Sequence, residues 1–307
     1  MPFTPENRSL FRRYAMQNSE KNAVLGGTLY LVGTPIGNLS DLSDRAKKVL
    51  SEVDFIAAED TRVTGKLLSF LGVRRETLSY YEHNRAERGV EILRRLLAGE
   101  SCALVTDAGM PAISDPGQDL VSLCADHNVP VTVTPGPCAA VCAVALSGLP
   151  VDHFYFEGFL PRTNRERQER LSLLCQIPAA LILYEAPHRI PETLADLAAA
   201  LGDRRCTICR ELTKLNEEIL RTTLSRAATL CTESEPRGEY VIVIDGSDAV
   251  PFRKQNKPDL NLRSPGDHVS FYEAQGKKRM DAIKAAAADR GMTKSEFYRL
   301  TVEKKDE

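Results

Sequence analysis

The stretch from residue 105 to 117, Val-Thr-Asp-Ala-Gly-Met-Pro-Ala-Ile-Ser-Asp-Pro-Gly, constrains the fold more than any other part of the chain. The apolar run Cys102–Val105 that leads into it is typical of a buried strand. Two prolines and two glycines then end that strand, because proline lacks an N–H donor and glycine tolerates positive φ. Loops at the C-terminal ends of parallel strands hold ligands, so Asp107 is predicted to accept hydrogen bonds from one. An ordinary strand-to-helix turn explains the stretch equally well at this point.

Short apolar runs alternate with helical patterns through most of the chain, which predicts an α/β fold with a parallel sheet. The breaker Gly148-Leu149-Pro150 divides the alternation into two domains, 27–150 and 151–247. We expect a flexible leader over 1–26, a linker over 248–270 and a small basic helical extension over 271–307. The segment Glu217–Thr222 is predicted to be a strand that interrupts the alternation. Further strands are predicted at Leu29–Val32, Phe55–Ala58, Thr77–Tyr81, Val129–Val133, Phe154–Phe156, Ala180–Tyr184, Arg205–Cys209 and Gly238–Ile244.

Charge is spread unevenly along the 307 residues. The formal net charge is −2, but residues 251–307 carry a net charge of +4. The whole-chain charge therefore does not by itself point to a nucleic-acid partner, whereas the basic tail is either an RNA-contacting appendage or a small packing module. No apolar run is long enough to span a membrane and no signal peptide is present, so we expect a cytoplasmic protein with reduced thiols.

Two sequence features argue against common cofactor sites. The loop after the first strand, Gly33-Thr-Pro-Ile-Gly-Asn38, lacks the dinucleotide fingerprint, and proline stands where a phosphate loop needs N–H donors. A nicotinamide-dependent oxidoreductase is disfavoured accordingly. Cys206 and Cys209 have no second cysteine pair, and a strand would point them to opposite faces, so we predict no metal site.

Polar side chains cluster where the predicted strands end. Glu59, Asp60 and Arg62 follow one strand, and His83 follows the next. Such groups are candidates for acid–base chemistry, although capping of the following helix explains the acids as well. Four arginines, at 162, 165, 167 and 170, lie on or beside a predicted helix and form either a solvated face or a phosphate-contacting surface.

Several of these stretches, in this order, resemble the tetrapyrrole methylase superfamily. The similar stretches are Val32–Leu39, Ala58–Arg62, Thr106–Gly117, Thr134–Ala139, Glu185–Arg189 and Arg210–Lys214. The similarity covers roughly Gly27–Gly246, and the last helices resemble a C-terminal extension found in the branch that methylates ribosomal RNA. Met110 departs from the pattern, which more often has a smaller residue there. The first loop differs from that of the biosynthetic tetrapyrrole enzymes, and this favours the RNA branch.

The resemblance implies two α/β/α domains with S-adenosylmethionine in the cleft between them, and a homodimer. It implies methylation of the ribose 2′-hydroxyl of a decoding-centre cytidine in 16S rRNA, within the small ribosomal subunit. His83, Glu59 and Asp60 are then the candidates for a general base. The phosphates of the RNA would be held by Arg62, Arg162, Arg165, Arg189 and Lys214. The residues expected to contact the cofactor are Gly33, Pro35, Asp107, Gly109, Met110, Ser114, Ala139, Phe159, Leu160, Tyr184 and Glu185.

Two other functions stay open on sequence alone. An enzyme of the same fold could methylate a small tetrapyrrole, which would require an open apolar trough. A non-catalytic RNA-binding assembly factor could retain the fold without binding the cofactor.

Overall fold

The computed structural model describes residues 23–233, 236–246, 264–274 and 276–302. The expectations for the leader over residues 1–22 and for the linker over 247–263 lie outside the described residues. The chain divides into two compact units, one before residue 250 and one after it.

The first half of the larger unit forms a five-stranded sheet whose strands are all parallel, as predicted. Its spatial order is β3-β2-β4-β1-β5. The strands are β1 (Leu29–Val32), β2 (Phe55–Ala58), β3 (Glu76–Ser79), β4 (Cys102–Val105) and β5 (Val131–Thr134). The helices of this half are α1 (Asp44–Glu52), α2 (Thr61–Phe70), α3 (Arg85–Leu97), α4 (Gln118–Asp126) and α5 (Ala139–Ser147).

Each face of this sheet has its own apolar core. Alternate residues of a strand point to opposite faces, so Phe55 and Leu104 pack with α3 and α4. Ile56 and Val105 pack on the other face with α1 and α2. The result is a helix–sheet–helix sandwich in which the C-terminal ends of the strands share one edge.

Helix α2 begins at Thr61, because Asp60 is its N-cap. The Asp60 side chain accepts a hydrogen bond of 2.8 Å from the main-chain N–H of Arg62. Such a cap satisfies a donor that the first helical turn leaves unpaired. The helix therefore starts at Thr61, directly at the edge of the sheet where the polar residues gather.

The second sheet has the order β6-β7-β10-β8-β9 and is mixed, in line with the strand predicted at Glu217–Thr222 that interrupts the alternation. Only β6 and β7 pair in parallel; the other neighbours are antiparallel. The reason is that β8 runs into β9 without an intervening helix. The strands are β6 (Phe154–Gly158), β7 (Ala180–Glu185), β8 (Arg205–Arg210), β9 (Glu218–Thr223) and β10 (Tyr240–Ile244). The helices are α6 (Asn164–Leu174), α7 (Ile190–Leu201) and α8 (Leu224–Glu233).

Helix α5 follows the first sheet in the chain but packs against the second. Ala143 and Val144 of α5 are buried against Ile182 and Val243. The opposite face of the second sheet packs against α6, α7 and α8. Cys206 and Cys209 belong to these two different cores, which confirms that the strand separates their thiols.

The described residues of the C-terminal unit form three helices. They are α9 (Pro265–Ala274), α10 (Arg279–Asp289) and α11 (Lys294–Val302). The expected linker over 248–270 therefore overlaps a helix, which Ser264 caps by accepting a 3.1 Å hydrogen bond from the Asp267 N–H. Their shared core is built on Ile283 and Phe297. Within the described part of the chain, no helix is long and apolar enough to cross a membrane.

Candidate functional site

A cavity of about 540 Å³ lies where loops after β2, β4 and β5 meet residues of the second sheet. Apolar side chains make up much of its lining, among them Ile36, Ile113 and Phe159. Three carboxylates line one wall of the cavity. They belong to Glu59, which follows β2, and to Asp107 and Asp115, which follow β4. This is the edge of the sheet at which the sequence predicted a ligand site.

The loop after β4 holds two of these acids on one wall by folding back on itself. Ala112 and Ser114 have φ values of 66° and 62°, which are unusual for residues other than glycine. Gly117 has φ of 141°, and a Cβ at that position would lie 2.7 Å from Cδ2 of Leu104. Backbone strain of this kind is found mostly at functional sites.

Main-chain atoms approach each other closely beneath the cavity. A Cβ on Gly33 would lie 2.6 Å from Cα of Gly136 and 2.7 Å from Sδ of Met110. The neighbouring Thr34 forms a backbone bridge with Gly109, with an N–H···O distance of 2.9 Å. Glycine at position 33 therefore lets the loops after β1, β4 and β5 pack together.

The acidic wall is joined by a short hydrogen-bonded network. The Thr106 hydroxyl donates to Glu59 at 2.6 Å, and the main-chain N–H of Asp60 donates to Asp107 at 3.2 Å. Burial raises the pKa of Asp107, and the charge of Glu59 acts in the same direction. Burial also raises the pKa of Asp115 to about 6, again reinforced by Glu59. The wall concentrates negative charge where a positively charged ligand would be stabilised.

The second sheet contributes an aromatic and hydrogen-bonded wall. The Tyr184 hydroxyl accepts a 3.0 Å hydrogen bond from the main-chain N–H of Ala140, the second residue of α5. Phe159 contacts the Tyr184 ring edge-on, with centroids 5.7 Å apart. Glu185 is 2% exposed and accepts a 2.6 Å hydrogen bond from the Thr193 hydroxyl, so its main role is to fix this strand end.

Lys214 is a cation on the lining, and its charge is compensated. Its Nζ lies 2.8 Å from a carboxylate oxygen of Glu211 and 2.8 Å from one of Glu239. The hydrogen bond from Lys214 lowers the pKa of Glu211. A Cβ on Gly37 would lie 2.4 Å from Cγ of Lys214, so the loops after β1 and β8 are in contact.

Most of the residues expected to contact the cofactor line the cavity. They are Asp107, Gly109, Met110, Ser114, Ala139, Phe159, Tyr184 and Glu185. Three do not: Gly33 packs beneath it, Pro35 lines a separate depression and Leu160 is buried in the core of the second sheet. The Leu160 side chain does not line the cavity, and its contact with the cofactor stays a prediction.

The three base candidates lie in different environments. Glu59 lines the cavity. Asp60 forms an ion pair of 2.6 Å with Arg62 and caps α2; the Arg62 hydrogen bonds lower its pKa to about 2, which makes it a weak proton acceptor. His83 lies outside the cavity, on an adjoining open depression.

The arginines expected to hold phosphates also lie in different environments. Arg62, Arg162 and Arg165 are exposed. Arg189 is instead engaged within the fold, because its guanidinium donates to the Leu160 carbonyl oxygen at 2.8 Å and lies 3.5 Å from Glu185. The phosphate-holding expectation for Arg189 is therefore corrected to a structural one.

The arginine run of α6 is only partly a surface. Arg167 is buried and lies 2.7 Å from Asp196, and Arg170 pairs with Glu157 at 2.5 Å. The spacing of these two with Leu171 and Leu174 marks the buried face of the helix, a signal that the sequence already contained.

Some lining residues were not predicted. Asp115 and Ile113 belong to the 105–117 stretch, and Pro187 and His188 belong to the stretch after β7, so their motifs could have indicated them. Glu239, Tyr240 and Val241 come from the start of β10, whose sequence shows only a buried strand. Among the described residues, no group of three or more His, Cys, Asp or Glu side chains could hold a metal ion.

Comparison with known proteins identifies the family. Residues 28–228 match the family model described as Tetrapyrrole (Corrin/Porphyrin) Methylases. The protein named ribosomal RNA small subunit methyltransferase I from Synechocystis is 46% identical over 90% of this chain and 98% of its own length. The protein of the same name from Halalkalibacterium halodurans is 44% identical over 89% of this chain and 94% of its own.

Solved structures agree on the fold. The uroporphyrin-III C-methyltransferase of Thermus thermophilus, solved with S-adenosylhomocysteine, is 21% identical and aligns with a TM-score of 0.52 over 71% of this chain and 97% of its own. The two-sheet architecture is thus that of the S-adenosylmethionine-dependent tetrapyrrole methylases. The chain belongs to the tetrapyrrole methylase family, in the branch formed by the ribosomal RNA small subunit methyltransferase I proteins.

Proposed function

We propose that this protein transfers a methyl group from S-adenosylmethionine to the ribose 2′-hydroxyl of a decoding-centre cytidine in 16S rRNA. The observation that carries the proposal is the 46% identity, over nine tenths of the chain, to a protein named for methylation of small-subunit ribosomal RNA. The choice of a ribose oxygen, and of this cytidine, rests on the resemblance of the loop motifs.

The chemistry of the cavity suits this cofactor. S-Adenosylmethionine carries a positive sulfonium, an ammonium group and one carboxylate, but no phosphate. Its net charge is positive, and the two cationic groups need oxygen acceptors. The carboxylates of Glu59 and Asp107 supply them, and Lys214, the lysine in the lining, is compensated by two acids. Ile36, Phe159 and Val241 offer apolar surface for a flat adenine ring.

When bound, S-adenosylmethionine supplies an electrophilic methyl group. The protein contributes orientation: Asp107 would hold the polar end of the ligand, and Tyr184 fixes the start of α5 beside it. Because methyl transfer requires the attacking oxygen in line with the bond that breaks, holding both reactants in a defined geometry supplies much of the rate.

The exposed arginines suit an RNA partner. Arg62, Arg162 and Arg165 present guanidinium groups at the surface, where they would contact phosphates. The C-terminal unit adds exposed basic residues, including Lys278, Arg279 and Lys294. We include the homodimer and the cytoplasmic location in the proposal, both on the resemblance; sedimentation velocity of the purified protein tests the first.

The test begins with calorimetry of S-adenosylmethionine binding. The same sample is then mixed with small-subunit particles that lack ribose methylation, using tritiated methyl donor. We expect binding, and label on a ribose oxygen of 16S rRNA. Asp107→Ala should weaken binding at least tenfold, whereas Asp126→Ala, an exposed acid at the end of α4, is the matched control.

Three results would contradict the proposal in different ways. Binding without transfer to the particles, with transfer to a tetrapyrrole, would favour the small-molecule alternative. Particle binding without any cofactor binding would favour a non-catalytic assembly factor. Label on a base instead of a ribose would be consistent with methyltransferase activity but would refute the ribose oxygen as the target atom.

A further inference from the structure

An open depression of about 570 Å³ adjoins the cavity. Glu59, Ser114 and Asp115 line both, so these three residues form the wall that the two spaces share. A substrate in the depression would therefore meet a cofactor in the cavity at this wall.

Two aromatic side chains line the depression. Tyr81 and His83, which follow β3, lie edge-on with ring centroids 6.2 Å apart, and both side chains are exposed. Unstacked bases of single-stranded RNA bind on such aromatic surfaces. Gln118 and Glu82 lie beside them and offer hydrogen-bond partners for a base edge.

We propose that this depression binds the target nucleoside of the RNA, extruded from its strand, with its base against Tyr81 and His83 and its ribose hydroxyl at Asp115, which accepts the proton. This inference rests on the proposed function. It gives His83 a stacking role in place of the acid–base role considered from the sequence.

Asp115 is the acid on the shared wall that is best placed to take a proton. Glu59 accepts the 2.6 Å hydrogen bond from the Thr106 hydroxyl, which has only one proton to donate. The same hydroxyl also lies near Asp115, where its hydrogen bonding lowers the pKa against the larger effect of burial. Asp107 accepts from the Asp60 N–H and lines the cavity but not the depression. Asp115 is held between both spaces by the strained backbone of Ala112 and Ser114.

The groups around Asp115 tune it for this work. Glu59 after β2, Asp107 after β4 and Tyr184 of β7 face it, and His83 lines the same depression. Burial and the Glu59 charge bring its pKa to about 6, so the carboxylate is ionised at neutral pH yet basic enough to assist a hydroxyl.

The step balances as an in-line displacement. The ribose oxygen forms a bond to the methyl carbon while its proton passes to the Asp115 carboxylate. The bond from that carbon to sulfur breaks, and its electron pair stays on sulfur, which becomes a neutral thioether. Asp115 then loses the proton to water.

The test uses single-turnover methylation of unmethylated small-subunit particles between pH 5 and 8.5. For the unmodified protein we expect the rate to rise with pH and level off above about 6. Asp115→Asn should lower the plateau by about 10²- to 10⁴-fold and abolish the dependence, while Asp115→Glu restores part of both. Calorimetry should show that Asp115→Asn still binds S-adenosylmethionine, which separates catalysis from folding.

The aromatic side has its own readout. Tyr81→Ala and His83→Gln should weaken the binding of labelled particles in a filter-binding assay, or raise the KM for the particles, by about tenfold. The pH dependence of the methylation rate should stay unchanged. Tyr81→Phe, which keeps the ring, should restore binding, and Asp126→Asn serves as a distant control. Loss of the pH dependence in His83→Gln but not in Asp115→Asn would overturn the assignment.

The two levels of proposal fail separately. If the unmodified protein neither binds S-adenosylmethionine nor labels the particles, the proposed function is refuted. If it does both, and Asp115→Asn retains the rate and its pH dependence, only the present inference is refuted.

Discussion

The main-chain N–H of Ala140 donates a 3.0 Å hydrogen bond to the hydroxyl of Tyr184. Ala140 lies at the start of α5, which follows the first sheet, and Tyr184 lies on β7 of the second sheet. This contact joins the helix that follows the first sheet to a strand of the second sheet at the wall of the cavity. It also satisfies a donor of the first helical turn that no residue of the helix can pair.

Tyr184→Phe should therefore weaken both folding and cofactor binding. Removing the hydroxyl leaves the N–H of Ala140, itself 5% exposed, without its acceptor, at a cost of about 1–2 kcal/mol in unfolding free energy. Urea unfolding and calorimetry with S-adenosylmethionine measure the two effects. Tyr81→Phe is the control, because Tyr81 is 41% exposed. Equal stability of the two variants would show that the hydrogen bond contributes nothing.

Gly33→Ala should destabilise the protein because its new methyl group meets main chain rather than a flexible side chain. The Cβ would lie 2.6 Å from Cα of Gly136, and we expect a loss of about 1–3 kcal/mol. Thermal unfolding measures it. Gly65→Ala is the matched control, since no atom lies within 4 Å of its Cβ, and alanine in the helix should add about 0.5–1 kcal/mol. A Gly33→Ala protein as stable as the unmodified one would mean that the loops can move apart.

The strands of the first sheet and the loops at their ends were predictable from local patterns. Each apolar run is followed by residues that cannot extend a strand, and parallel strands bring those loops to one edge. For that reason Asp107 could be placed at the site from the pattern alone. Gly109, Ser114 and Tyr184 were added to the prediction by the resemblance to the family, and they line the cavity.

The second sheet shows what local sequence patterns could not predict. An apolar run such as Tyr240–Ile244 indicates a buried strand but not which neighbour it pairs with or in which direction. Glu239 and Val241 reach the cavity only because β10 lies between β7 and β8. The role of Asp115 likewise depends on a loop that folds back through positive φ at Ala112 and Ser114, which composition does not disclose.

Arg189 and the exposed arginines should respond differently to substitution. Arg189→Ala removes hydrogen bonds to the carbonyl oxygens of Leu160 and Pro161, so it should lower the unfolding free energy by about 1.5–3 kcal/mol. Arg62→Ala and Arg162→Ala should leave stability within about 0.5 kcal/mol.

Salt dependence of particle binding separates the two classes. A lost phosphate contact should reduce the slope of log affinity against log salt by about 0.7–0.9 for Arg62→Ala and for Arg162→Ala. Arg189→Ala should leave the slope unchanged. A reduced slope for Arg189→Ala would restore the phosphate contact that the fold argues against.

Asp115→Asn should stabilise the folded protein at neutral pH even though it removes a group needed for activity. Folding raises the pKa of Asp115 from 3.8 to about 6. The contribution of this group to the unfolding free energy is therefore fully present below pH 3.8 and is lost as the pH rises through 6. The ionised carboxylate therefore lowers the unfolding free energy at neutral pH, and asparagine removes this cost because it cannot ionise. After allowance for solvent screening, we expect Asp115→Asn to raise the unfolding free energy by about 1 kcal/mol at pH 8, a gain that disappears near pH 3.5. Urea unfolding at the two pH values measures the difference, with Asp126→Asn as control. If the unfolding free energy rises by the same amount at both pH values, asparagine acts through packing, and the surroundings of Asp115 do not destabilise its ionised form.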